Sequence, residues 1–382
     1  MNFWDTSDTF DFEKNKADLI NNLDYLTNMS VQEQTLYKKW IELNEKLTDK
    51  IKLLPMFNAL KEQIWQPSNI MDKDTTIKEI EELEPYVELA EDIQKWTYIR
   101  KLISTMEFTA NPGRNVKAYV KDRVSNKILG VISLGSDIAC VAVRDKYIGW
   151  SKDNKFKEGK LNNTTIGTSI IPTQPLGYNF LGGKLVAALT TSPVFRKEWK
   201  DKYNDTLIAV GTTALYGASS QYNGIPHFKT LGESAGKMGT KPDNWIYKIW
   251  SNYLKKNYVE EYKKAISGTA PKQRILALLW RKLGINHTIY HHGFKRGVYL
   301  AQMYENGNDY LCSKINEAEL QMKPKFEQGD AYTIKWWKDK AIKRYTTLYN
   351  DNRIKNETLY YTDIIGMTWE QCKGKYLQDV GR

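Results

Sequence analysis

Apolar residues recur every three or four positions through the first hundred residues. They predict helices over Lys14 to Leu26, Val31 to Leu54, Met56 to Trp65 and Ile77 to Ile103, with Pro55, Pro67 and Pro85 as breaks. Leu36, Trp40, Leu43, Leu47 and Ile51 make the clearest stripe, the face of a helix packed on a neighbour. From Lys117 the period shortens. KAYVKDRVSNKILGVISLGS reads as two strands joined by a Ser125-Asn126-Lys127 turn, and Thr164 to Ile171 reads as a third, closed by Pro172 and Pro175. Phe180, Leu181, Leu185, Val186 and Leu189 then return to helical spacing, and Asp205 to Leu215 is again short, apolar and β-rich. From Asn244 to Leu283 the helical period resumes, with Trp245, Tyr247, Trp250, Tyr253 and Tyr258 on what reads as a buried face. The order predicts an α+β protein with a mixed sheet at its centre and helical regions before and after it.

Charge divides the chain in the same places. Residues 1–105 carry 13 basic and 20 acidic side chains, 106–240 carry 18 and 10, and 241–382 carry 25 and 15, within an overall +11. The expectation is an acidic helical N-terminal region, a central α/β core and a basic, aromatic-rich helical C-terminal region. A basic chain rich in Tyr and Trp suits a phosphate-backbone binder, because cations release counterions from nucleic acid and rings stack on bases. DNA is therefore the expected partner. Lys335, Trp336, Trp337, Lys338, Lys343 and Arg344 form the candidate nucleic-acid surface, with a plain solvated helix as the equal alternative. Cys140, Cys312 and Cys372 are too widely separated for a zinc site or disulfide framework, and His291-His292 has no nearby carboxylate, so no metal is expected. The acidic N-terminus and the lack of a long apolar run predict no membrane span and a soluble, cytoplasmic protein.

The junction at Gln174-Pro-Leu-Gly177-Tyr-Asn179 carries the candidate chemistry. A turn that opens a helix aims unpaired N–H groups and the positive end of the dipole at whatever lies before it, which suits a phosphate. The segment resembles the pyrophosphate loop of the GNAT acyltransferases, [RQ]-x-x-G-x-[GA] after a strand, with Asn179 standing where that family has Gly or Ala. The resemblance implies a GNAT-like sheet and a donor such as acetyl-CoA or a related acyl-CoA, held by Gln174, Gly177, Asn179, Gly182 and Gly183. Paired glycines at 182 and 183 also let a helix pack closely on a sheet. The same resemblance implies a general-acid tyrosine at Tyr222 or Tyr216 and an acceptor pocket near Thr212, Thr213, Ser219 and Ser220.

Arg144-Asp-Lys-Tyr-Ile-Gly-Trp150, the Leu161-Asn-Asn163 run, YNGIPHFKTLGES from Tyr222 and HHGFKRGVYLAQMYEN from His291 resemble the family of the Druantia defence-system protein A. The later segments are also distantly similar to the DNA-modifying Mom type of phage Mu. Asp145 is then the candidate base and Arg144 a substrate-orienting group, with a bracing role for the pair as the alternative. The leading expectation is a nucleic-acid-directed modifying enzyme that transfers an acyl-derived group to a base amine. The rival is a non-catalytic DNA-binding subunit of a phage, transposon or defence system, and a third reading is a phage structural protein.

Overall fold

The computed structural model of the chain describes residues 10–108, 113–214, 221–234, 238–267, 271–292 and 295–377. Its strands, in chain order, are β1 (Pro85–Leu89), β2 (Asn115–Asp122), β3 (Ile128–Ser136), β4 (Thr164–Pro172), β5 (Ala209–Ala214), β6 (Phe228–Glu233), β7 (Met238–Gly239), β8 (His291–His292) and β9 (Gly297–Gln302). Seven of them make one open sheet in the order β1-β2-β3-β4-β5-β9-β6. Every neighbouring pair is antiparallel except β4 and β5.

The expected hairpin is present, and its turn has a local cause. Asn126 adopts the left-handed conformation at φ 58°, while the Asp122 carboxylate accepts the Ser125 N–H at 2.8 Å and its hydroxyl at 2.6 Å. β3 is buried along all but its last residue. Alternate side chains of the hairpin feed two cores. Val116, Ala118, Val120, Ile132 and Leu134 pack with Leu176, Phe180, Phe195, Trp199, Trp337 and Tyr345. Tyr119, Ile128 and Val131 pack with Phe57, Trp96, Ile99 and Leu102.

Two strands lie in regions read as helical. Pro85 ends the helical pattern after the helix Lys73–Glu82, and the Glu84 N–H donates to Asp122 at 2.8 Å, so PYVEL pairs with β2 as an edge strand. β9 comes from the C-terminal region and lies between β5 and β6, with Val298 to Ala301 buried. Its period-2 pattern is masked because both faces of the strand are covered.

The register shifts between β2 and β3, between β3 and β4 and between β6 and β9, and two irregularities along β4 bear on the sites below. Ser133 of β3 pairs with Ser169 of β4, but the next residue, Leu134, pairs with Gly167, which leaves Thr168 as an extra residue. β4 and β5 pair only from Thr164–Ala209 to Ile166–Gly211 and then part; further along, the Ile170 carbonyl accepts from the Gln221 side chain instead (2.8 Å).

The chain forms two compact units. The sheet and its helices belong to the one built from Thr35–Ala235 and Lys295–Arg382. The other takes Met1–Gln34 and Gly236–Phe294, so the chain leaves the sheet after β6 and returns to it at β9. The acidic segment 1–105 and the basic segment 241–382 each contribute to both units. In the smaller unit, Leu19 and Leu23 of the helix Phe12–Asn28 pack with Ile246, Trp250 and Leu254. Asn22 and Asp243 exchange two hydrogen bonds, at 2.8 and 3.0 Å. The expected aromatic face of Asn244 to Leu283 is mixed: Trp250 is buried, whereas Trp245 is 48% exposed. Among the described residues no helix is long and apolar enough to cross a membrane, and no group of three His, Cys, Asp or Glu side chains is placed to hold a metal.

Candidate functional site

β4 runs through Thr173 directly into the seven-residue helix Gln174–Phe180, so Gln174 and Gly177 lie within a helix where a cofactor turn was expected. Gly177 has only the Pro172 ring near the position of a Cβ, at 3.8 Å. The Gln174 side-chain carbonyl accepts the Leu359 N–H. Asn179, buried, holds Lys355 from both sides, donating to its carbonyl at 2.7 Å and accepting its N–H at 3.1 Å. Leu181 is left-handed (φ 53°) and breaks the path into the helix Gly182–Ala188. A Cβ at Gly182 would stand 2.7 Å from the Leu176 carbonyl oxygen, so this glycine serves close packing. One at Gly183 would stand 3.1 Å from the Gln221 side chain. These residues do not fit a pyrophosphate cradle, because the polar side chains expected to face a donor bind the chain's own segment 355–359.

Tyr222 lies in the core, against Tyr299 at 5.1 Å and Phe228 at 6.1 Å, with its hydroxyl meeting buried Thr212. Burial pushes its phenol up. A general acid must reach the reacting atom, and this hydroxyl faces only protein. Thr213 follows on β5, half-buried. Tyr216, Ser219 and Ser220 lie outside the described residues.

The Arg144–Trp150 heptad builds a closed ionic cluster at the end of β3. Arg144, 2% exposed, donates to Asp137 at 2.6 Å, to Asp145 at 2.7 and 3.0 Å, and to the Ile138 carbonyl at 2.9 Å. The second Asp145 oxygen takes the ammonium of buried Lys155 at 2.5 Å. Asp137, its side chain fully buried, also accepts from Thr164 of β4 at 2.6 Å. Burial pushes its carboxyl up and the Arg144 guanidinium pulls it back. The Trp150 ring lies 5.1 Å from Arg144 and 5.5 Å from Lys155, and its N–H donates to the Leu311 carbonyl at 2.8 Å. Two carboxylates face two cations, and both oxygens of Asp145 are occupied. The arrangement fits the bracing alternative, since both Asp145 oxygens are taken by cations of the chain itself.

The expected nucleic-acid residues share the helix Ala331–Asn350 but face different ways. Trp337 is fully buried, with its N–H on the Phe180 carbonyl at 2.9 Å, so it cannot stack on a base. Trp336 packs partly against the same core. Lys338 donates to the Glu81 carbonyl at 2.6 Å, and Lys335 lines a shallow depression with Glu81, Glu84 and Asp339. The other end of the helix is different. Arg344 lies 4.9 Å and Lys355 4.8 Å from the ring centre of Tyr178, so the clasp made by Gln174 and Asn179 brings a further cation beside Lys343 and Arg344. Burial and then Lys340 hold the nearby Lys184 ammonium below its usual range. Among the described residues, Lys340, Lys343 and Arg344 take part in no ion pair, and the buried Arg344 Nε has no hydrogen-bond partner.

A fourth place was not anticipated. Beside the Thr168 bulge a cleft of about 350 Å³ opens between the sheet and the helix Ile93–Ile103. Arg100 and Lys117 reach it, with hydroxyls of Ser133, Thr168 and Ser169. Thr168 is exposed although it lies on a strand with neighbours on both sides. The hint in sequence is slight: Ser133, Thr168 and Ser169 are three of the six hydroxyl residues in the strands ILGVISLGS and TTIGTSIIP.

Comparison with known proteins bears on these places together. The family model of the Druantia protein DruA matches residues 32–313, about three quarters of the chain. The chain belongs to the DruA family. A Druantia protein DruA from Escherichia coli (strain UMEA 4076-1) is 27% identical over 230 residues, covering 54% of this chain and 55% of that protein. The match thus spans about half the length of that relative. No solved structure matches. The DruA region takes in the ionic cluster and the bulge cleft, and it ends before the helix Ala331–Asn350. The DruA family is one of defence systems.

Proposed function

We propose that this chain is a nucleic-acid-binding subunit of its defence system, gripping the phosphate backbone with the basic end of the helix Ala331–Asn350. One observation carries the reading: Arg344 and Lys355 flank the Tyr178 ring, beside Lys340 and Lys343, and none of the three helix cations has an ion-pair partner among the described residues. Like charges held near one another repel, and a phosphate chain relieves that repulsion while releasing its counterions. The test is fluorescence anisotropy on labelled DNA across a salt series, with Lys340→Gln, Lys343→Gln and Arg344→Gln combined. The wild type binds with a steep salt dependence. The triple variant loses about tenfold or more in affinity, and its log–log salt slope falls by about 0.9 for each phosphate contact removed. Equal affinity and slope in a folded variant would retire this face.

A second reading, group transfer to a base amine on a GNAT-like sheet, is favoured by the parting of parallel β4 and β5 beyond Ile166 and Gly211. Ligands collect where parallel strands diverge at their carboxyl ends. This reading needs an acyl donor whose phosphates are held by residues other than 174–183. Calorimetric titration with acetyl-CoA tests it: micromolar binding favours transfer, and no binding leaves the non-catalytic subunit.

A further inference from the structure

The described lining of the bulge cleft holds three cations, Arg100, Lys117 and Lys202, and one carboxylate, Glu198. Lys117 projects from β2 directly opposite Ser133. Its ammonium lies 5.0 Å from the Trp96 ring and 5.9 Å from the Phe108 ring and, among the described residues, has no hydrogen-bond acceptor and no carboxylate. Burial and then the neighbouring Arg100 guanidinium hold it below the usual lysine range. Among the described residues Arg100, 5% exposed, donates to neutral groups alone: the Ser169 hydroxyl at 3.0 Å and the Met106 and Glu107 carbonyls at 3.3 and 3.1 Å. The carboxylate that most offsets it, Glu42, is already shared by Lys39 at 3.3 Å, Lys101 at 3.4 Å and the Phe108 N–H at 3.2 Å. At the mouth, Lys202 donates to the Asn115 carbonyl at 3.2 Å, and Glu198 is the one carboxylate among the described lining residues. Glu107 offsets Arg100 further, but among the described residues neither Arg100 nor Lys117 forms an ion pair, and the lining keeps an excess of positive charge.

We infer that this cleft binds a terminal phosphate group, the monoester of a nucleotide or of a nucleic-acid end, with Lys117 and Arg100 as counter-charges and the Thr168 hydroxyl as a hydrogen-bond partner. The chemistry selects among anions. Two cations match the dianionic charge of a monoester, and the fork of Arg100 retains N–H groups beyond the three in use. The recess excludes a continuous backbone, which cannot bring a mid-chain phosphodiester down to a guanidinium that is 5% exposed. The bulge supplies the opening: the extra residue, Thr168, is exposed where β4 has parted from β5, and its hydroxyl lies 2.9 Å from the Ser133 hydroxyl and 3.1 Å from the Ser133 carbonyl, partners it would exchange for a phosphate oxygen. The site is separate from the basic helix end and does not depend on that reading.

The experiment is calorimetric titration of the full chain with inorganic phosphate, AMP and adenosine, and with one oligonucleotide carrying either a 5′-phosphate or a 5′-hydroxyl. The wild type binds the phosphate-bearing member of each pair at least tenfold more tightly. Lys117→Met abolishes that preference without lowering the melting temperature, and Lys117→Arg restores part of it. AMP binding on its own identifies free nucleotides as the source; a preference confined to the phosphorylated oligonucleotide identifies a nucleic-acid end. The inference falls if neither pair shows a phosphate preference, or if a folded Lys117→Met keeps it.

Discussion

The same two strands carry two groups of buried charge that solve opposite problems. At the end of β3 and the start of β4, Asp137 and Asp145 meet Arg144 and Lys155, and every charge has an oppositely charged partner within 2.7 Å. A few residues along, at the bulge, Lys117 and Arg100 meet rings, hydroxyls and carbonyls. The first arrangement is complete by itself, which is what a structural brace requires. The second is complete only with something added. Buried charge alone therefore does not mark a functional site; buried charge without its complement does.

Breaking the balanced group has the largest effect. Arg144→Met leaves Asp145 with Lys155 alone and the buried Asp137 with no ion-pair partner among the described residues, and it is expected to lower unfolding free energy by about 3–5 kcal/mol in urea titration, as removal of one partner from a buried pair does. A loss below about 1 kcal/mol would mean that the brace contributes little.

A third buried group sharpens the contrast. Among the described residues His227 has neutral hydrogen-bond partners alone, the Ala188 carbonyl at 3.1 Å and the Thr191 hydroxyl at 3.3 Å, and burial lowers its pKa to about 4, with Lys325 and Lys323 adding repulsion. Its folded pKa lies below the unfolded one, so the unfolded chain takes up a proton that the fold refuses. Stability falls as pH drops from about 6.5 toward about 4, by roughly 3 kcal/mol in total. The difference in unfolding free energy between wild type and His227→Gln over that range isolates the effect. A constant difference would show that the imidazole is protonated in the fold.

Relieving the unbalanced group has the smallest effect and the opposite sign. Lys117→Met removes a half-buried charge that has no counter-charge and is expected to raise stability by about 1 kcal/mol in thermal or urea unfolding. A loss of stability there would show that the ammonium already has a stabilising partner and would erase the contrast.

Strands with plain punctuation were legible in the sequence. The Ser-Asn-Lys turn and the prolines after Ile171 locate β2, β3 and β4 to within a few residues. β1 escaped because five residues between two helical patterns offer too short a period to detect. β9 escaped because its neighbours, β5 and β6, are remote in sequence. The helix Ala331–Asn350 illustrates a different limit. Lys335 to Arg344 forms one basic, aromatic run, but the helical twist sends Trp337 into the core, Lys338 to Glu81 and Arg344 to Tyr178. The bulge cleft was the least legible, because its charge imbalance involves residues from the helix at 93–103, β2, β3 and β4, none of which is unusual alone.

The place of β9 bears on how the chain reaches this form during synthesis. When β6 leaves the ribosome its partner does not yet exist, so β5 and β6 present open edges until Gly236–Phe294 has been made and Gly297–Gln302 arrives to join them. Throughout that interval the half-built sheet offers sticky borders to any other nascent chain, and the segment that joins β5 to β6 appears only after the excursion Gly236–Phe294 has been made.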